Sequence, residues 1–508
     1  MKCTKGNTPN TKLLSLLSVV FLILPIISLV VNPLLLIIKY NVSIYEGSLI
    51  YNLMVNESKS VIIRMYLYNV TNPEEFLSGE DDKLRLAEVG PFTYQEYRWM
   101  EDPVLDEETG VMGFTLRTRA EFVPEESVGD PMEVNVTAPN MISLAVASKV
   151  GTFPYFTKAG FSIFLNSIKS KPIINERAYN LMWGYDEPLL SMGRKLLPLV
   201  DFDSLAMLKR LFDPKTRIEM ATNNEDKFRV LTVDNSSGVL TRGYGDENKR
   251  GRCNTYEDTY EGIGFPFGLK PERKLRIYRD VLCRLMDLEY VGTEKIDYGP
   301  EVMRYQYADQ VYGKTEANDC LCQASCIDGV TDMSPCFYGL GVGISNAHFL
   351  HANSSLYERI VGMNPDEKKH GSEFLIDKIT GFILKTRFSL QVNIVVDDVN
   401  YNSKFKPFSK MVVPYANILV EHQVPDETKE QFKLMHNIGP IIIHCIEAII
   451  FIVGASILVY LFYSKFTEIL FPRRTIGYHM PKSIILEKSD SVYLGPDCKL
   501  SPLLINAV

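Results

Sequence analysis

The chain lacks a concentrated basic surface. Its 508 residues carry 54 Lys and Arg against 62 Asp and Glu, a formal net charge of −8, and its isoelectric point lies near 5.6. Nucleic-acid binding draws on clustered positive charge that neutralises phosphates, so no nucleic-acid partner is expected. The common catalytic signatures are missing too. No Gly-x-Ser-x-Gly elbow, His-Glu-x-x-His helix or phosphate loop occurs in the sequence, which argues against hydrolase, zinc-protease and nucleotide-dependent chemistry. The chain is therefore expected not to be an enzyme, and to need no cofactor and no metal. His348 and His351 stand three apart with no partnering acid evident, and read as packing or surface histidines. Gly339, Gly341 and Gly343 lack the dinucleotide-binding spacing and read as a turn. No Pro/Gly/Ser-rich linker, low-complexity tract or internal repeat divides the chain.

Charge is also absent from residues 13–38. As a helix this run extends roughly 39 Å, against a hydrocarbon core of about 30 Å. A cleaved signal would have an apolar core of about 7–15 residues and a small-residue cleavage site. Pro25, Asn32 and Pro33 interrupt the run without such a site, so it reads as an uncleaved anchor. Residues 438–463 form a second run of similar length. Lys2, Lys5 and Lys12 precede the first run, and Lys465, Arg473 and Arg474 follow the second. That bias places both tails in the cytosol. The expected organisation is a cytosolic tail (1–12), a first span (13–38), an outer domain (39–437), a second span (438–463) and a second cytosolic tail (464–508). In the second span, Glu447 lies one turn from His444; a position near the interface is the favoured reading, and contact with the first span the alternative. Cys3, beside the first span, is the candidate for S-acylation.

Asn-x-Ser/Thr acceptors begin at Asn41, Asn56, Asn69, Asn135, Asn235 and Asn353, all between the two runs. Glycosylation occurs on the lumenal or extracellular side, so their distribution supports the same topology. Asn41 is the acceptor closest to the membrane and reads as too near it to be modified. Of the nine cysteines, Cys253, Cys283, Cys320, Cys322, Cys326 and Cys336 lie in the outer domain. An even number in an oxidising compartment reads as three disulfides, with about 15 pairings open. The Cys-x-Cys at Cys320 and Cys322 departs from zinc-finger spacing.

Short alternations of apolar and polar residues, as at 61–68 and 388–396, read as strands. Helical periodicity is clearest at 161–168, where Phe161, Phe164, Leu165 and Ile168 share a face, and recurs at 175–182 and 204–212. The expected fold is α+β, an antiparallel β core carrying a helical subdomain at about 140–215, with a disulfide region at 253–336.

Three blocks carry a family resemblance. YLYNVTNPEEFLSGEDDKLRLAEVGPFTYQE spans residues 66–96, and WGYDEPLL spans 183–190. The third runs from CLC at 320–322 through AHFLH and MNPDE to ITGFILKTRFSLQVNIVV, ending at Val396. In this order, between two apolar runs, they resemble the class B scavenger receptor family, which includes fatty acid translocase, lysosomal integral membrane proteins and insect sensory neuron membrane proteins. The resemblance implies a β-barrel-like core, an apical helical bundle and an apolar tunnel toward the bilayer. Its disulfide pattern would join Cys253 to Cys320, Cys283 to Cys336 and Cys322 to Cys326. It also implies capture of anionic ligands at a Lys-Ser-Lys stretch, here Lys169 and Lys171. Phe161 and Phe164 are candidates to line the entrance, although as members of a helical apolar stripe they read first as core.

The function it implies is a receptor for lipids, lipoprotein particles or other apolar ligands that passes cargo to the membrane. An adhesion or pattern-recognition receptor for apoptotic cells or microbes is one alternative, and a lysosomal trafficking receptor for a protein cargo is another. The plasma membrane is the expected location, with the lysosomal membrane as the alternative; a homo-oligomer is compatible with the sequence.

Overall fold

The apolar runs at the two ends become helices because nothing polar interrupts their hydrogen-bonded ladders. The first, Thr11–Val31, stops at Asn32, whose left-handed backbone (φ 49°) lets its N–H bond Ser28 O. Pro33 then opens a second helix, Pro33–Asn41, since proline suits a first helical turn. Near the other end, Gly439–Leu470 is a single helix. The computed structural model describes residues 10–196, 205–212, 216–239, 251–279, 282, 284–299, 301–322 and 326–471. Both terminal helices are long and apolar enough to cross a bilayer, which fits a membrane protein with two spans.

The chain separates into a unit made from residues 1–36 and 439–508 and a large unit, Ile37–Ile438. Within the first, Ser18 Oγ donates to Gly454 O at 2.9 Å. A Cβ on Gly454 would lie 3.0 Å from Phe21 Cβ and 3.2 Å from Leu22 N. Glu447 accepts from Ser28 Oγ at 2.5 Å and lies 3.0 Å from His444 Nδ1. The carboxylate of Glu447 thus contacts the first helix, the alternative that the sequence left open. Because the helices meet at a residue without a side chain, Gly454→Leu is expected to cost about 1–3 kcal/mol by overpacking. Denaturation of the full chain in detergent would read this as a lowered midpoint, and an unchanged midpoint would remove Gly454 from the contact.

The large unit is built on β1 (Ser58–Val70), β2 (Leu84–Asp106), β3 (Val111–Phe122), β4 (Asn135–Pro139), β5 (Ile173–Arg177), β6 (Arg217–Ala221), β7 (Val230–Val233), β8 (Thr259–Tyr260) and β9 (Leu275–Arg279). It continues with β10 (Arg284–Lys295), β11 (Glu301–Tyr307), β12 (Thr331–Asp332), β13 (Val342–Asn346), β14 (Ile360–Val361), β15 (Glu373–Ile376), β16 (Ile383–Val396) and β17 (Met411–Gln423). The main sheet runs β7-β6-β3-β2-β1-β17-β16-β15-β11-β10-β9-β8. Its two ends meet through a bridge between Arg229 and Tyr260. The result is a nearly closed, barrel-like sheet. Closure protects the edge strands, whose unpaired N–H and C=O groups would otherwise seek partners.

Alternation explains which side chains fill it. On β1, Ile63, Met65 and Leu67 are buried while Ile62, Arg64 and Tyr66 are half-buried, following the two-residue period of a strand. The ITGF segment before β16 is a tight turn: Thr380 N and Oγ1 donate to Asp377 Oδ2 at 2.8 and 2.6 Å. At Gly381 (φ +77°) a Cβ would fall 2.1 Å from Phe265 O, so only glycine fits.

Three local expectations change. The helix read over 175–182 begins at Ala178. The preceding residues form β5, paired with β4 through Asn175 opposite Thr137, and this pairing overrides the helical pattern. Of the segment 204–212, Met207–Leu211 is helical, and Ser204 lies outside the described residues. In the glycine run, Gly339 is a left-handed turn residue (φ +71°), but Gly343 belongs to β13.

Candidate functional site

The helical part of the large unit includes Met141–Gly151, Tyr155–Ser167, Ala178–Trp183, Pro188–Leu196 and Met207–Leu211. On Tyr155–Ser167, Phe161 and Leu165 are buried, and Phe164 is half-buried, its ring centroid 6.2 Å from that of Phe161. Phe161 thus belongs to the core, and Phe164 packs against it partly buried. The other face carries the apolar surface that sequence reasoning passed over: Tyr155, Phe156 and Ile163 are 75%, 86% and 72% exposed. Phe156 and Ile163 are seven apart, two turns of helix, so a helical wheel holds the signal.

This helix ends in a reversal that displays the lysines. Ser170 N bonds Leu165 O at 3.1 Å and Lys169 N bonds Asn166 O at 3.2 Å. Lys169 takes the left-handed conformation (φ 57°) where glycine is usual. Lys169 and Lys171 are exposed while Ser170 between them is buried. The two candidate lysines therefore project from one loop at the end of a helix with an exposed apolar face. A helix with exposed aromatic side chains at one end and cationic side chains beyond the other suits a surface that is apolar inside and anionic outside.

In the disulfide region, Cys253 is joined to Cys320 and Cys322 to Cys326. Cys336 is also disulfide-bonded; Cys283 lies outside the described residues. Cys445 is free, and Cys3 lies outside the described residues. Asn41, Asn56, Asn135, Asn235 and Asn353 are exposed. Asn69 is half-buried, and its Oδ1 accepts from Thr137 N at 2.8 Å.

The histidines do have acid partners, contrary to the sequence reading, because those partners are distant in the chain. His348 is buried, with Nε2 3.1 Å from Glu88 Oε1, and its ring stacks on His370 at 4.3 Å. Burial pushes the Glu88 carboxyl up, but hydrogen bonds from His348 and Asn417 outweigh it and hold the group below its usual range. Burial first, then neighbouring His348, pushes His370 down to about 4. The Nδ1 atoms of both rings accept backbone N–H groups, from Asn364 and Asp366. With Nδ1 of each ring occupied, this is a packing arrangement and not a poised general base. Exposed His351 lies 2.7 Å from Glu367. Among the described residues no group of three or more His, Cys, Asp or Glu side chains could hold a metal ion.

The sequence profile of the CD36 family matches residues 13–465. The chain belongs to the CD36 family. Among CD36-family relatives, scavenger receptor class B member 1 of Bos taurus is 24% identical over 468 residues, covering 88% of each chain. Lysosome membrane protein 2 of Mus musculus is 24% identical, covering 79% of this chain and 82% of the relative. The Homo sapiens lysosome membrane protein 2 is 26% identical, covering 74% of this chain and 78% of its own length.

Proposed function

We propose that this CD36-family chain is a receptor that captures lipids or lipid-bearing particles and passes their apolar cargo to the membrane. Capture occurs along helix Tyr155–Ser167 and the loop that follows it. The exposed Tyr155, Phe156 and Ile163 on the helix, with exposed Lys169 and Lys171 beyond its C-terminal end, carry this reading. Aromatic side chains supply apolar contact, and compact ammonium groups attract the phosphates or carboxylates of a particle surface. Residues 39–437 would face the outside and both tails the cytosol, with the plasma membrane as the site of action. Family membership and the relatives named as scavenger receptors support a receptor role.

Transfer answers a solvation problem. A lipid tail crossing water loses about 0.8 kcal/mol for each exposed CH2. A sheltered route through the large unit avoids that loss, and passage from particle to membrane is downhill without ATP. Replacing Lys169 and Lys171 together with Ala is expected to weaken binding of anionic lipid particles about fivefold per lysine, with surface display retained. Flow cytometry with labelled particles measures this, and unchanged binding would remove the lysines from the site. For transfer, lipids extracted from the purified chain and identified by mass spectrometry should include co-purified apolar species; a consistently empty protein counts against it.

A further inference from the structure

The serine between the two lysines points inward to a buried carboxylate. Glu187, from the WGYDEPLL block, is 5% exposed. Its Oε1 accepts from Ser170 Oγ at 3.0 Å and from Ser143 Oγ at 2.9 Å, and these two hydroxyls are 2.6 Å apart. Its Oε2 accepts from Asn140 Nδ2 at 2.8 Å. Asn140 Nδ2 also donates to Lys171 O at 2.9 Å, and Asn140 N to Pro172 O at 2.8 Å. The loop carrying the lysines is thus fastened at three successive residues, 170, 171 and 172.

No cation lies within ion-pair distance of Glu187 among the described residues. A buried carboxylate without a countercharge needs a complete set of donors, and here two hydroxyls and an amide supply it. Asn140 is also the N-cap of helix Met141–Gly151, its Oδ1 accepting from Ser143 N, so the positive end of that helix faces the same cluster. A carboxylate only accepts hydrogen bonds. An amide in its place would turn an NH2 group toward a donor.

We propose that Glu187 is the positioning residue for the ligand-contacting lysine loop. It holds Ser170 inward so that Lys169 and Lys171 stand outward at a fixed spacing before the ligand arrives, which reduces the ordering cost of binding. This rests on the reading of Lys169 and Lys171 as ligand contacts.

The test uses the full-length chain displayed on cells, with vesicles of phosphatidylcholine containing phosphatidylserine and vesicles of phosphatidylcholine alone. Glu187→Gln and Ser170→Ala are each expected to weaken binding of the anionic vesicles about fivefold, equivalent to one lysine contact, and to leave the neutral vesicles unaffected. Neither should add to the loss in a Lys169→Ala/Lys171→Ala background, because residues acting through one another are not additive. Further loss in that background marks a general folding role and overturns the inference. Wild-type binding by both single variants, with weakened binding by the lysine pair, overturns the positioning role and leaves the lysine contacts standing. Wild-type binding by the lysine pair removes the contacts and the inference with them. Should Glu187→Gln fail to reach the surface, Ser170→Ala decides, since it deletes one hydroxyl and keeps the carboxylate.

Discussion

Replacing Cys253 and Cys320 together with serine is expected to lower stability by about 4 kcal/mol, twice the effect of replacing Cys322 and Cys326. The first bridge spans 67 residues and the second only 4. Cross-links act on the unfolded chain, whose lost freedom grows with the logarithm of loop length. On that basis the long loop is worth about 4 kcal/mol and the short one about 2 kcal/mol. The long bridge also ties the segment before β8 to the one after β11. Without it the unfolded chain can separate sequences whose strands lie together at one end of the main sheet. Denaturant unfolding of the full-length double variants in detergent gives both values from their midpoints. Equal losses, or a larger loss from the short bridge, would show that local packing outweighs chain entropy here.

What the sequence disclosed follows from whether the signal is local. The terminal helices were legible because an uninterrupted apolar run suffices to announce them, although 13–38 read as one element and is broken at Asn32. Alternation exposed β1 and β16, whose partners are supplied by the same two-residue period. Closure was not legible from periodicity, since the bridge between Arg229 and Tyr260 joins weakly patterned segments; the family resemblance supplied the barrel. The site was half legible. Lys169 and Lys171 could be named as candidates from the resemblance, and Phe161 and Phe164 from a helical stripe, which marks the packed face. The exposed face needed the opposite question. Glu187 and Glu88 stayed hidden because their partners lie 44 and 260 residues away, and no spacing rule reaches that far.

Lys227→Met is expected to stabilise the chain near pH 7 by about 2 kcal/mol and to lose that advantage by pH 10. Lys227 is fully buried. Its Nζ donates to Val42 O at 3.0 Å and Thr380 O at 3.4 Å, and lies 5.2 and 5.1 Å from the rings of Phe228 and Phe382. Carbonyls and ring faces only partly replace water around an ammonium group, and burial pushes the amine down to about 7. In the unfolded chain a lysine titrates near 10.4. The folded chain therefore binds fewer protons between pH 7 and 10, and stability must rise with pH across that window. Well below pH 7 the charged amine carries the full desolvation penalty, roughly 5 kcal/mol at about 1.4 kcal/mol for each tenfold loss of proton affinity, and at pH 7, where half of it is neutral, about 4 kcal/mol. Methionine keeps the stem and removes the charge, but leaves two carbonyls without their donor at about 1 kcal/mol each. The net gain near neutrality is the difference. At pH 10 the wild-type amine is neutral in the folded chain and retains both bonds, so the variant should be equal or weaker. Val42 directly follows helix Pro33–Asn41, so this lysine fastens the chain leaving that helix to the Thr380 turn. Thermal unfolding of both proteins from pH 6.5 to 10 provides the measurement. Parallel curves would mean that Lys227 does not titrate in this window.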